Sequence, residues 1–306
     1  MNVKGARMES TPCPFCRSGK TKFWFHHVSE QDGKSYPIYK CAACGSAFVH
    51  PSPTPKFLNE YYSSTVTAVR NINGESVSES FAQVLRQESE FPNATIDAER
   101  IAVNLKAVAS GPKMLDVGAG CGFFSRAVTS LGFRVTAIEL NEQSRAVFRL
   151  MNSFDALNVA FDEGFSTKHA GIFDVVLLTQ VLEHIPMESK PVENIHKVLS
   201  PNGICAITVP HFRSSVSVLQ GKKDMFIRPP EHLNFFTISG LDALFRANGF
   251  EAIKHETISR FDKSKLRAKI RPSIVADSIA KALTPFLSAS DRFDRGMFIH
   301  SYFKKV

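Results

Sequence analysis

The chain has 306 residues, 43% of them hydrophobic and 22% charged, with a formal net charge of +8. That length and apolar content are enough for one large packed domain with something smaller attached. Nothing approaches the ~20 apolar residues of a membrane span, and no apolar run follows the N-terminus as in a secretory signal, so a soluble, cytoplasmic protein is expected.

The first feature in chain order is a pair of C-x-x-C knuckles, Cys13-Pro-Phe-Cys16 and Cys41-Ala-Ala-Cys44. Between them lie aromatic and β-prone residues: Phe23, Trp24, Phe25, Tyr36, Ile38 and Tyr39. Four thiolates from two knuckles match the tetrahedral demand of Zn²⁺, and Gly45 permits a tight turn after the second pair. A disulfide or redox pair is the competing reading, and the missing secretory signal favours metal. Residues 1–50 are therefore read as a zinc ribbon. Its zinc is structural, because four cysteines leave no open coordination position. So small a segment has little core of its own, so the metal is expected to supply much of its folding energy. His26 and His27 read as strand residues, and Cys121 and Cys205 as buried small hydrophobes.

Residues 51–110 read as linker and helical cover. The HPSPTP run at 50–55 has extended bias and ends the ribbon. A short helix over 56–62, a polar and mobile stretch over 66–80, and helices over 79–90 and 94–109 follow. Pro92 separates the last two, and Gly111-Pro112 stops the second.

From residue 111 to 306 strands and helices alternate, which implies a parallel sheet with right-handed crossovers. The spacing predicts strands at 113–117, 134–140, 156–161, 173–179, 199–210, 251–259 and 296–305. Helices fall at 123–131, 141–151 (with Asn141 as its cap), 188–199 and 238–248. Residues 261–295 are longer than a hairpin between the last two strands requires and read as an insertion.

The stretch LDVGAGCG, Leu115 to Gly122, carries the chemistry. Gly118, Gly120 and Gly122 alternate through the turn between a strand and a helix, where backbone amides meet a ligand at the helix N-terminus. Glu139, at the end of the next strand, is placed to accept both hydroxyls of a ribose. A dinucleotide fingerprint needs a glycine where Phe123 stands. The pattern here is G-x-G-x-G behind Asp116, suited to a ligand without phosphates.

In this the chain resembles the class I S-adenosylmethionine-dependent methyltransferases. The resemblance extends to FDVVLLT at 173–179 with Gln180-Val181-Leu182-Glu183-His184 after it, to LSPNGICAITVP at 199–210, and to PEHLNFFT at 230–237. It implies an α/β fold with a seven-stranded, mostly parallel sheet of order 3-2-1-4-5-7-6, and S-adenosylmethionine as cofactor. It further implies that Asp116 and the three glycines bind the methionine portion, Glu139 the ribose and Asp162 the adenine amino group. Thr179 and Gln180 then line the pocket beside the methyl group, and the helices over 79–109 cover it.

Methyl transfer from a sulfonium is an in-line displacement, so the protein must align acceptor and methyl group and remove a proton where the acceptor requires it. His184, His211 and His232 follow strands or lie in the PEHLNFFT segment, and histidine titrates in the right range for a base. Which of them serves stays open, and Glu183 reads as an anchor for a loop or helix. The acceptor is expected to be a small molecule methylated at a hydroxyl of a sugar, quinone precursor or secondary metabolite. No (D/N/S)PP(Y/F) motif follows the fourth strand, which speaks against a base-modifying role. Charge keeps RNA open as a partner, through a basic cluster of Lys254, Arg260, Lys263, Lys265, Arg267, Lys269 and Arg271, with the ribbon at the other end of the chain. The apolar stripe Val275, Ile279, Leu283 and Phe286 admits packing on the domain, a homodimer contact or a peripheral membrane contact. A non-catalytic adaptor that keeps the pocket for stability is the third possibility.

Overall fold

The computed structural model describes residues 11–64, 76–90, 92–260 and 273–306. Most of the stretch read as mobile, and Lys263, Lys265, Arg267, Lys269 and Arg271 of the basic cluster, lie outside those residues. In chain order the N-terminal part holds β1 (Thr21–Val28), β2 (Ser35–Cys41), β3 (Ala47–Val49), α1 (Pro55–Ser64), α2 (Val77–Glu90) and α3 (Asn93–Val108). Then come β4 (Lys113–Val117), α4 (Phe123–Ser130), β5 (Arg134–Ile138), α5 (Glu142–Met151), α6 (Glu163–Lys168), β6 (Phe173–Thr179), α7 (Pro191–Val198) and β7 (Leu199–Pro210). The chain closes with α8 (Ser215–Gln220), β8 (Asn234–Phe235), α9 (Ile238–Arg246), β9 (Phe250–Ile258), α10 (Ser273–Arg292) and β10 (Phe298–Lys305).

The main sheet has the order β5-β4-β6-β7-β10-β9, with β5, β4, β6 and β7 parallel and β10 antiparallel to both its neighbours. Its strands alternate in what they bury, as period-2 geometry requires. Leu115, Val117, Val176, Leu178, Cys205 and Ile207 pack on one face with Ile195 of α7 and Leu241 and Phe245 of α9. Met114, Val175, Leu177, Ile204 and Ala206 pack on the other with Ile101 and Leu105 of α3 and Val128 of α4. β6 is apolar and buried from Val175 to Leu178 because it is covered on both faces, the rule for a central parallel strand.

Among the described residues the main sheet has six strands where seven were expected. The stretch 156–161 makes a single bridge, Ile138 to Leu157, and then leaves the sheet. It lies at an exposed edge, with Leu157 and Val159 open to solvent, so little apolar burial holds it in register. The other elements fall near their expected positions. Asn141 caps α5 by accepting the Ser144 N–H at 2.8 Å, and Pro191 starts α7 at a position where a missing N–H costs nothing. The expected insertion contains α10, where Ile279 and Leu283 are half-buried and Phe286 is exposed. Lys254 is paired with Glu256 at 3.1 Å and Arg260 with Asp97, so these two members of the basic cluster are neutralised within the fold.

The ribbon does not stand alone. Its sheet has the order β1-β2-β3-β8, and β8 comes from the PEHLNFFT segment, pairing Ala47 with Phe235 and Phe48 with Asn234. Thr237 donates to the Cys44 carbonyl at 2.7 Å, and Phe15 packs on Phe236 with ring centroids 4.9 Å apart. Cys13, Phe15, Cys41, Cys44 and Phe48 belong to the same apolar cluster as the main sheet.

Candidate active site

A cavity of about 1790 Å³ opens over the carboxyl ends of β4, β5, β6 and β7, where open α/β sheets bind ligands. One end is the glycine turn. Gly118, Gly120 and Gly122 have φ of +66°, +54° and +88°, conformations that side chains resist. Space excludes side chains as well: a Cβ on Gly118 would lie 2.6 Å from Val181, and one on Gly122 2.1 Å from Asn152 and 2.7 Å from Phe148. The Ile138 carbonyl accepts the N–H groups of Gly118 and Ala119 at 2.9 and 3.0 Å, which ties the turn to β5. The Glu139 carboxylate accepts the N–H of Gly120 at 2.9 Å and of Asn141 at 2.8 Å. The acid is thereby fixed at the cavity wall beside the turn.

The other end is built on the turn after β6. Gln180 lines the cavity with φ of +56°, and its N–H donates to the Thr208 carbonyl at 2.9 Å. Leu182–His184 then forms one 3₁₀ turn, clamped by the PEHLNFFT segment. The Leu233 N–H donates to the Glu183 carbonyl at 2.8 Å, and the Asn234 amide to the Ile185 carbonyl at 2.8 Å. His184 Nδ1 lies 2.7 Å from the Glu231 carbonyl and His232 Nδ1 2.8 Å from the Phe226 carbonyl, with the two rings 4.8 Å apart. A carbonyl only accepts, so each ring donates through Nδ1.

Burial drives the charges at this end. It lowers the pKa of His184, and it lowers that of His232 well below the usual imidazole range, with His184 and Arg228 adding to the effect on His232. Both histidines are neutral near pH 7. Glu183, fully buried on the same wall, is pushed up to about 8 by desolvation, with Glu231 adding to it. No hydrogen-bond donor reaches either of its carboxylate oxygens.

Glu139, Gly118, Gly120, Gly122, Thr179, Gln180, His184 and His232 therefore meet on one cavity. Three residues singled out in the sequence do not line it. Asp116 is fully buried beneath the turn, accepting the Ser125 hydroxyl at 2.6 Å; desolvation pushes its carboxyl up to about 7, and the Glu139 charge adds to the rise. Asp162 is exposed and caps α6, accepting the Phe165 N–H at 2.8 Å. His211 is buried against the Gly296 carbonyl, 3.1 Å from Nδ1, and burial lowers its pKa to about 4. Sequence reasoning passed over Arg228 and His300 and read Arg260 only as part of a basic cluster; all three also line the cavity. A lone histidine in a strand carries no periodic signal; only the pairing of His300 with Thr208 brings it to this wall.

The four knuckle cysteines converge about the ribbon's turns. Cys13 Sγ is 3.7 Å from Cys44 Sγ, Cys16 Sγ is 3.6 Å from Cys41 Sγ, and all four sulfurs lie within 4.8 Å of one another. These separations are far beyond the ~2.05 Å of a disulfide. They match the ~3.8 Å edges of a tetrahedron with ~2.3 Å metal–sulfur bonds.

The relatives agree with this geometry. The chain is 35% identical over 105 residues to a ubiquinone biosynthesis O-methyltransferase of Psychrobacter arcticus, covering 32% of this chain and 41% of the relative. It is 32% identical over 123 residues to the enzyme of that name from Pseudomonas aeruginosa, covering 38% and 53%. The chain thus spans about half the length of these curated relatives. A solved S-adenosylmethionine-dependent methyltransferase from Archaeoglobus fulgidus superposes with a TM-score of 0.52 at 17% identity, over 73% of this chain and 99% of that one. That likeness establishes the fold. The family model described as a methyltransferase domain matches residues 83–255, more than half of the chain, and the chain belongs to that family.

Proposed function

We propose that the protein transfers a methyl group from S-adenosylmethionine to a hydroxyl of a small-molecule acceptor. The observation that carries this reading is one continuous cavity joining the glycine turn and Glu139 to the neutral His184–His232 pair. Pockets for a single small ligand run to ~300–1,000 Å³, so about 1790 Å³ leaves room for a cofactor and a second molecule. The relatives named as O-methyltransferases support a hydroxyl as the acceptor group.

S-adenosylmethionine supplies an activated methyl group on a sulfonium leaving group. In this chain the side-chain-free backbone of the turn lets the cofactor lie directly on it, and Glu139 takes its ribose. Thr179 and Gln180 orient the reacting end. The histidine pair lies where the acceptor's proton has to be lost; His211, buried elsewhere, has no part in it. Asp116 acts from beneath, by holding Ser125 and the turn. The cysteine cluster holds a structural Zn²⁺ that fixes the ribbon and, through β8, the segment bearing His232.

The test is turnover of labelled S-adenosylmethionine with a panel of hydroxylated small molecules, together with calorimetry of S-adenosylhomocysteine. Methyl ethers are expected, and His184→Gln should lower kcat about 100-fold or more with product-analogue affinity unchanged. Tight uptake of NAD or FAD with no response to either sulfur ligand would overturn the reading.

A further inference from the structure

At their carboxyl ends the strands set a row of polar side chains across the sheet. Thr179 of β6 pairs with Thr208 of β7, and Thr208 with His300 of β10. Directly opposed residues present their side chains to one face, and all three line the cavity. Adjacent strands lie ~4.8 Å apart, so His300 stands two spacings, about 10 Å, from β6 and three, about 14 Å, from β4 and its glycine turn. That separation places it away from the cofactor end. His300 is 2% exposed, and its Nδ1 has no hydrogen-bond partner among the described residues. Arg260, just past β9, lines the same cavity. One of its Nη groups is paired with Asp97, and its buried Nε finds no acceptor among the described residues. Phe298, two residues before His300 on the same face of β10, lies with its ring centroid 5.3 Å from that of Phe226.

The charges on this wall do not cancel. Glu256, opposite His300 on β9, is matched by Lys254 at 3.1 Å on one oxygen and by the Asn104 amide at 3.0 Å on the other. Asp97 is matched by Arg260. The charge of the exposed Arg100 also reaches His300, so Lys254, Arg260 and Arg100 outnumber Glu256 and Asp97 by one. Arg228, elsewhere on the cavity, is balanced by Glu231 at 2.8 Å. Burial, with the neighbouring cations adding to it, lowers the pKa of His300 to about 3; the neutral ring offers a hydrogen bond and the arginines supply the charge. A guanidinium N–H and an imidazole nitrogen without partners, in a sheltered wall with one positive charge in excess, complement a singly charged oxyanion.

We propose that Arg260 and His300 form a subsite for a carboxylate on the acceptor, so that the substrate is a hydroxy acid held by its acid group at β10 with its hydroxyl toward the His184–His232 pair. The hydroxyl's part in this inference rests on the methyltransferase reading. A carboxylate carries the single charge that balances the wall, whereas a phosphate monoester would exceed it, and its planar oxygens suit the edge of a guanidinium. Phe226 and Phe298 supply an apolar wall for the rest of the molecule. Arg260 and His300 are thus binding residues that select the acceptor.

The probes are benzoate and benzamide, alike in shape, one with a carboxylate and one without charge. Each is titrated into the full chain, with and without S-adenosylhomocysteine, and followed by ligand-observed nuclear magnetic resonance. Benzoate is expected to bind at one site per chain, about tenfold or more tightly than benzamide. Arg260→Gln and His300→Leu should each weaken benzoate about tenfold or more and leave benzamide within about twofold, a difference that misfolding would not produce. Should Arg260→Gln fail to fold because Asp97 loses its partner, Asp97→Asn combined with Arg260→Gln removes both charges together. No benzoate binding in the unaltered chain, equal binding of the two probes, or benzoate binding unchanged in the variants overturns the proposal. Calorimetry of S-adenosylhomocysteine on the same samples reads the cofactor end separately: its failure in the unaltered chain would sink the methyltransferase reading, while the preference for benzoate over benzamide would still decide the subsite.

Discussion

The two ends of the cavity are built in opposite ways. At the cofactor end, Asp116, the three glycines, Ser125, Glu139 and Asn141 come from a span of fewer than thirty residues and are joined by short-range hydrogen bonds. At the acceptor end, Glu183 and His184 follow β6, while His232 arrives from a segment some fifty residues later that is itself a strand of the N-terminal ribbon's sheet. A local motif fixes the first end. The second depends on pairing between distant parts of the chain, and its geometry is only as secure as β8 and the cysteine cluster that braces it.

The strongest way to break this contrast is Gly122→Val, which combines a forbidden φ with a Cβ placed 2.1 Å from Asn152. It should reduce S-adenosylhomocysteine affinity about 100-fold or more and cost roughly 3 kcal/mol of stability. Calorimetry giving normal affinity would show that the turn is not the cofactor cradle. Next, Cys41→Ser or chelation should release the ribbon and, through β8, residues 226–237. Hydrogen exchange should show both segments losing protection, with turnover falling about tenfold or more while product-analogue affinity stays within about threefold. Loosening confined to the first 50 residues would mean that β8 does not transmit the loss.

A smaller effect sharpens the account of Asp116. Its carboxyl is held at about 7 in the folded chain against 3.8 when free, because desolvation disfavours the charged form. The folded state therefore holds this proton more tightly than the unfolded one. The resulting stabilisation is complete below about pH 4 and is lost as pH rises through about 7, a swing of up to ~4 kcal/mol. Denaturant unfolding of Asp116→Asn should show a weaker decline between pH 5 and 8 than the unaltered chain; an identical slope would remove the buried ionisation from the argument. Glu183, with a pKa raised in the same sense, contributes a decline that remains in that variant. The smallest effect is expected for His211→Gln, less than about threefold in kcat, since that side chain lies off the cavity. A loss comparable to that of His184→Gln would return His211 to the reaction.

How far the site could be read from the sequence follows the same division. The turn, Glu139 and the alternation of strands and helices were legible because alternating glycines, buried strands and capped helices leave periodic, local marks; the order of the main sheet came with the family resemblance. Asp116 and Asp162 were legible as residues but not as contacts: one side chain turns beneath the loop to Ser125, and the other caps α6. The third strand failed for a related reason, since an alternating stretch at an exposed edge looks the same whether or not it completes a ladder. His300 gave no signal and Arg260 only that of a basic run, because β9 and β10 bring them to the cavity from the far end of the chain.

By itself the sequence determined the alternating α/β pattern, the glycine turn with its acid, and the two cysteine knuckles, because each is set by residues close along the chain. Only the tertiary structure decided that the ribbon completes its sheet with Asn234–Phe235. It also decided that Glu183, His184 and His232 converge on one wall. The physical reason is that β pairing and burial are settled between segments far apart in sequence, where hydrogen bonds and apolar contacts must outweigh the entropy of closing a long loop.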